Sequence, residues 1–140
     1  MLSIVNTFVQ VAPDSSALKA VIPEARGDKK TIQVIQYELL TNNPYSLTLN
    51  DLIFEIFVLR NNISSTDLEF HKTTIWAELF AKPQPCMRTS MLPKKYGWGV
   101  HYDGSGKIGL HALESEQYGH LSAFGDGVKK VELAMRSKRA

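Results

Sequence analysis

At 140 residues, 44% hydrophobic and 21% charged, the chain has the size and balance of one ordinary globular domain. A net charge of +2, from 16 basic against 14 acidic residues, gives no compositional ground for a nucleic-acid partner. No apolar run reaches the ~18–20 residues of a membrane span, and Met1-Leu2-Ser3-Ile4-Val5-Asn6 lacks the basic region and cleavage site of a signal peptide. The single cysteine, Cys86, leaves no internal disulfide and no cysteine cluster for zinc. These features predict a single domain over residues 1–140 in a reducing, cytoplasmic setting with no membrane partner.

In chain order, Val5, Val9 and Val11 fall on alternate positions and predict a strand, which Pro13 and Asp14 end. Residues 13–28 carry two prolines and Gly27 and read as an irregular surface crossing. Ile32, Ile35 and Leu39 recur at helical spacing within a helix over 28–42, stopped by Asn42-Asn43-Pro44. Thr48-Leu49-Asn50-Asp51 has the form of a capping box with Asp in place of Glu. The following segment 52–59 is apolar on nearly every side; periodicity allows a buried helix or a central strand, and the cap tips the reading toward helix. A third helix over about 65–80 is expected to bury Leu68, Ile75, Trp76, Leu79 and Phe80.

Beyond Pro83 and Pro85 the pattern changes. Residues 86–92, 96–102 and 107–113 alternate and predict three strands, with the hairpin signal Asp103-Gly104-Ser105-Gly106 between the last two. A short helix starts near Ser115, and residues 127–138 predict a final amphipathic helix with Val128, Val131 and Met135 inward. Strands and helices grouped in this way predict an α+β domain: a small antiparallel sheet of about four strands with helices mainly on one face.

A two-residue turn at Gly104-Ser105 would place Tyr102 opposite Lys107, Val100 opposite Gly109 and Trp98 opposite His111. His101 and His111 would then point in opposite directions and could not share a metal. A bulge at the turn would shift one strand and reverse this. Gly97 and Gly99 lie on the His101 side, where their missing side chains leave room for a ligand or for a packed helix.

Several residues invite chemical readings. Cys86, Arg88 and Ser90 share a face of the expected 86–92 strand, and an arginine beside a thiol favours the thiolate. With His101 from the adjacent strand a Cys/His nucleophile would result, although free cysteine more commonly acts as a small buried hydrophobe. Arg88 with Lys94, Lys95 and Lys107 could bind an anion, or simply keep a sheet edge solvated. Asp51 and Glu55 sit four apart on a helix, where a cap and a surface charge account for them. No phosphate loop, nucleophile elbow or metalloprotease motif is present, and no cofactor is called for. The basic residues Lys129, Lys130, Arg136, Lys138 and Arg139 could meet nucleic acid from the last helix. No stacking aromatic accompanies them, which argues against that use.

Several segments together carry a family likeness: Asn6-Thr7-Phe8-Val9-Gln10-Val11-Ala12-Pro13-Asp14, Gly27-Asp28-Lys29-Lys30-Thr31-Ile32, Asn43-Pro44-Tyr45, Tyr96-Gly97-Trp98-Gly99-Val100-His101, and Ala134-Met135-Arg136-Ser137-Lys138-Arg139-Ala140. The chain resembles, over nearly its whole length, a family of small bacterial proteins of unknown function. Members of that family often carry Cys-Pro where this chain has Ser15-Ser16, so two-cysteine chemistry with Cys86 is closed to it. The resemblance implies a bacterial, cytoplasmic, single-domain protein and no activity.

Taken together, the sequence points to a ligand-binding or interaction domain without catalysis. The expected site is Arg88, Gly97, Trp98, Gly99 and His101, holding a small anionic ligand. The alternatives are an enzyme acting on a small anionic metabolite through Arg88 with His101 or Cys86, nucleic-acid binding through the basic C-terminal helix, and self-association through Tyr96, Trp98 and Tyr102 if that side of the sheet is uncovered.

Overall fold

The computed structural model describes residues 3–25, 27 and 30–137. The chain forms a four-stranded sheet from β1 (Thr7–Gln10), β2 (Trp98–Tyr102), β3 (Ile108–Ala112) and β4 (Lys130–Leu133), in the order β3-β2-β1-β4. Among the described residues five α-helices accompany it: α1 (Ile32–Asn42), α2 (Leu49–Arg60), α3 (Ser65–Phe80), α4 (Met91–Lys95) and α5 (Glu116–Ser122). The class is α+β, as the sequence predicts. The sheet is mostly antiparallel but mixed, because β4 runs parallel to β1, with Phe8 opposite Val131.

Local chemistry explains most of the boundaries. The capping box closes fully: Asp51 N donates to Thr48 Oγ1 at 3.2 Å and Thr48 N to Asp51 Oδ2 at 3.1 Å. Two of the orphan amides at the start of α2 are thereby satisfied, which decides the ambiguous segment 52–59 for helix. The described part of the first helix starts at Ile32, after Thr31; Asp28 and Lys29, where its start was expected, lie outside the described residues.

Residues 86–92 are not a strand. They form a 3₁₀ turn at Met87–Thr89 and lead into α4, whose N-cap is Ser90, accepting from Leu92 N at 3.2 Å. Pro93 falls in the first turn of α4, where its missing N–H has no intrahelical partner to lose. Met87 from the 3₁₀ turn and Leu92 from α4 both reach the core.

The described part of the expected last helix, residues 127–137, is not a helix either. Asp126 and Gly127 take left-handed backbone conformations (φ 50° and 78°) and redirect the chain into β4. Val128 and Val131 still reach one cluster, but from a loop and a strand. Met135, expected inward, is exposed. Residues 138–140 lie outside the described set.

The two sides of the sheet are covered unequally. Against one side, Val9, Val100, Tyr102 and Ile108 pack with Leu40 of α1, Leu49 and Leu52 of α2, Met87, and Leu92 of α4. Each such side chain, fully buried, contributes roughly 1.5–3 kcal/mol. On the other side Phe8 packs with Leu121 of α5 and Val128, and Tyr118 meets Phe8 edge-on at 5.0 Å. No residue of α3 is fully buried, contrary to expectation. Trp76 stacks on Phe54 of α2 and on Phe80 of its own helix, at ring separations of 5.0 and 4.7 Å.

The hairpin register differs by one residue from a two-residue turn. Asp103 N donates to Lys107 O, Gly106 N donates to Asp103 O, and Gly106 sits at φ 80°. This is a three-residue loop closed by a glycine bulge. The Asp103 carboxylate selects it by accepting from both Ser105 N and Lys107 N at 2.9 Å. Tyr102 therefore faces Ile108, His101 faces Gly109, and Gly99 faces His111. Paired residues share a side of the sheet, so both imidazoles lie on the same side. The expectation that they diverge is overturned by that one additional loop residue.

Candidate functional site

Two glycines create the space on the histidine side of the hairpin. Gly99 leaves room for the Phe8 and Tyr118 rings, and Gly109 leaves room for the Tyr45 ring. Tyr45 comes from the connection between α1 and α2, which runs along the outer edge of β3. Its N–H donates to Ile108 O, Ile108 N donates to Leu47 O, and Thr48 bridges to Lys107. At φ 54° Tyr45 is left-handed, an uncommon state for a bulky side chain costing on the order of 1–2 kcal/mol. That conformation carries the ring around the edge of the sheet and onto the histidines.

The Tyr45 hydroxyl lies 2.8 Å from His101 Nδ1 and 2.6 Å from His111 Nε2. A hydroxyl holds one proton, so it donates to one imidazole and accepts from the other. The two facing nitrogens are thus in opposite protonation states; because one is Nδ1 and the other Nε2, both neutral rings carry the same tautomer, and a shift of protons along the chain would switch both together. His101 is only 4% exposed, and its Nε2 has no hydrogen-bond partner among the described residues. On the same side His120 Nε2 lies 3.3 Å from Asp126 Oδ1, and Gln117 also donates to Asp126.

Electrostatics keep this group neutral. Burial pushes the Tyr45 hydroxyl up to about 12, assisted by Asp103 and Asp126, so phenolate is unavailable near neutral pH. Burial depresses His101, against the opposing pull of Asp103 and Asp126. Burial and then the neighbouring His101 depress His111. One added proton leaves both hydrogen bonds intact; a second would strip the tyrosine O–H of its acceptor and set two cations 6.3 Å apart, centre to centre.

A pH dependence of stability follows. Unfolded, both imidazoles return to the ordinary histidine range and bind protons that the folded chain refuses. Their contribution is complete above that range and is lost as pH falls toward the depressed folded values. We expect the urea midpoint to fall between about pH 7 and pH 5, with the slope reduced in His101→Gln and His111→Gln. An equal slope in all three proteins would contradict this assignment.

The residues expected to form one site are dispersed. Trp98 lies on the opposite side of the sheet, donating from Nε1 to Val21 O at 2.9 Å and stacking on Tyr37. Gly97 abuts the backbone of Lys19 and Ala20. Arg88 donates from Nε to Leu133 O and sits 3.9 Å from Glu132. Cys86 packs into the helical side of the core. Gly99 and His101 alone share the histidine side. Arg88, Cys86 and His101 therefore do not surround one cavity, the arrangement that the enzyme reading required. Tyr102 is buried beneath the helices, so the aromatic side proposed for self-association is covered.

A second feature lies on the helical side. A cleft of about 690 Å³ opens between α1, α2 and residues 84–91. Its walls are mainly apolar, including Leu52, Ile53, Ile56, Phe57, Leu79 and Met87. Ser90 donates to Gln36 Oε1 at 2.6 Å on one wall, and Arg60 stands at the end of α2.

The pattern defining one family matches residues 2–140. The chain belongs to the DUF6157 family, a family of unknown function. No curated protein and no solved structure matches it. For this DUF6157 chain the functional reading therefore rests on geometry. Among the described residues no three His, Cys, Asp or Glu side chains are grouped as a metal would need, and no helix is long and apolar enough to cross a membrane. Sequence reasoning missed Tyr45, because the expected two-residue turn set Gly109 opposite Val100 where the structure sets it opposite His101. It also missed the cleft, whose walls come from segments distant in sequence.

Proposed function

We propose that this DUF6157 chain is a ligand-binding domain whose ligand is a small molecule held in the cleft between α1, α2 and residues 84–91. The observation that carries the reading is the cleft itself. Its volume of about 690 Å³ falls within the ~300–1,000 Å³ of ligand sites, and it combines apolar walls with a few polar groups, as such sites do. Arg88 is turned toward Leu133 O and Glu132, away from Gly99 and His101, and residues 130–133 of the segment expected to bind nucleic acid as a helix form a strand. A cytoplasmic place of action agrees with a lone, unpaired Cys86.

The test uses a neutral fluorescent probe, N-phenyl-1-naphthylamine. We expect saturable binding with enhanced fluorescence, abolished by Ile53→Trp and independently by Gln33→Trp, which fill the cleft from opposite walls. Far-UV circular dichroism confirms that each variant is folded. Unchanged probe binding in both folded variants would refute the proposal.

A further inference from the structure

We infer that the ligand of this cleft is an apolar molecule bearing a single anionic end, a carboxylate or its equivalent, which Arg60 receives. The inference rests on the cleft reading above and adds its ligand class.

Charge decides the sign. Among the described residues lining the cleft, Arg60 is the single full charge at neutral pH, with no Asp, Glu, Lys or His beside it in that lining. The guanidinium forms no ion pair and no hydrogen bond with the described residues. Elsewhere in the chain the cations Lys30, Arg88 and Lys130 do have carboxylate partners. A cation lining an apolar space, with no carboxylate among the described residues of that lining, favours an anion and disfavours a second cation.

Most of the polar groups in the walls, Gln33 apart, are already committed. Ser90 donates to Gln36, Gln84 to Leu79 O, Thr89 to Cys86 O and Asn61 to Phe57 O. A ligand rich in hydroxyls or amides would have to break these bonds or leave its own groups unpaired, and each buried unpaired group costs on the order of 1–3 kcal/mol. The walls therefore select an apolar body. Arg60, a planar fork of donors suited to carboxylate, phosphate or sulfonate oxygens, selects the head. Its position on the last turn of α2 leaves the head close to water, so the charge need not be fully desolvated.

Competition against the same neutral probe tests this with three ligands of one chain length: decanoate, decan-1-ol and decyltrimethylammonium. We expect decanoate to displace the probe at a concentration at least about tenfold below that of decanol, with the ammonium weakest. Arg60→Gln should erase the difference between acid and alcohol, and Arg60→Lys should restore most of it. Equal potency of acid and alcohol, or an acid preference that survives Arg60→Gln, overturns the anionic class and leaves the cleft assignment standing. Probe binding that ignores Ile53→Trp and Gln33→Trp overturns both.

Discussion

Tyr45→Phe should lower the unfolding free energy by about 3 kcal/mol, measured by urea denaturation near neutral pH. The ring is retained, so contact with Gly109 and the left-handed backbone are unchanged; the variant removes one oxygen. That oxygen is bonded to two imidazole nitrogens at 2.8 and 2.6 Å. His101 is buried, so its Nδ1 would join its Nε2 in having no partner, and it bears the larger share of the cost. His111 is partly exposed and can turn to water. Gly109→Ala reaches the same interaction from the other side. A Cβ there would lie 2.8 Å from the Tyr45 hydroxyl and overlap the ring, forcing the tyrosine out. The two changes should therefore be strongly non-additive, with the double variant little worse than the more destabilised single one. A loss below about 1 kcal/mol for Tyr45→Phe, or simple additivity, would show that the bridge does not hold the α1–α2 connection to the sheet.

Gly99→Ala should cost about 3 kcal/mol through overpacking, at the upper end of the usual range. The added methyl would sit 2.5 Å from Cζ of Phe8 and 2.8 Å from both Cε1 of Phe8 and Cε2 of Tyr118. Phe8 has no exposed surface, and Leu121 and Val128 pack around it, so it has nowhere to retreat. Tyr118 is held at its far end, where its hydroxyl accepts from Val11 N at 2.9 Å. Thermal or urea unfolding measures the loss, and Phe8→Leu in the same background should recover part of it. Gly104→Ala serves as the control: its Cβ would meet only Asn6 Oδ1, at 3.4 Å, and should change stability by less than about 0.5 kcal/mol. If Gly99→Ala is as mild as the control, the close packing of β2 against Phe8 and Tyr118 is refuted.

The parts legible in the sequence were those fixed by neighbouring residues. The capping box at Thr48 and Asp51 located α2, because a side chain three residues from an orphan amide carries its own address. The class followed from the grouping of strands and helices. What failed depended on details that periodicity does not encode. The reading of Asp103-Gly104-Ser105-Gly106 as a hairpin was right, but the loop length was decided by an aspartate bonding two amides, and one residue in the loop moved His111 to the other side of the sheet. The spacing of Val128 and Val131 suited a helix as well as a loop and strand meeting one cluster. Of the expected site residues, His101 and Gly99 proved to be neighbours of something informative. Tyr45 was invisible because its partners lie 56 and 66 residues away.

The parallel pairing of β1 with β4 has a kinetic consequence. Joining segments roughly 120 residues apart carries a loop-closure cost on the order of 4 kcal/mol if made first, and far less once the hairpin and helices have already shortened the path. The order of assembly is thereby biased: the β2–β3 hairpin and the helical side condense early, and β4 docks last along the remaining flank of β1. Phe8, which needs Val128 to complete its surroundings, acquires its final environment only at that step. A ribosome-bound chain would accordingly keep the Phe8 side of its sheet open to chaperones until residues 128–133 had left the exit tunnel.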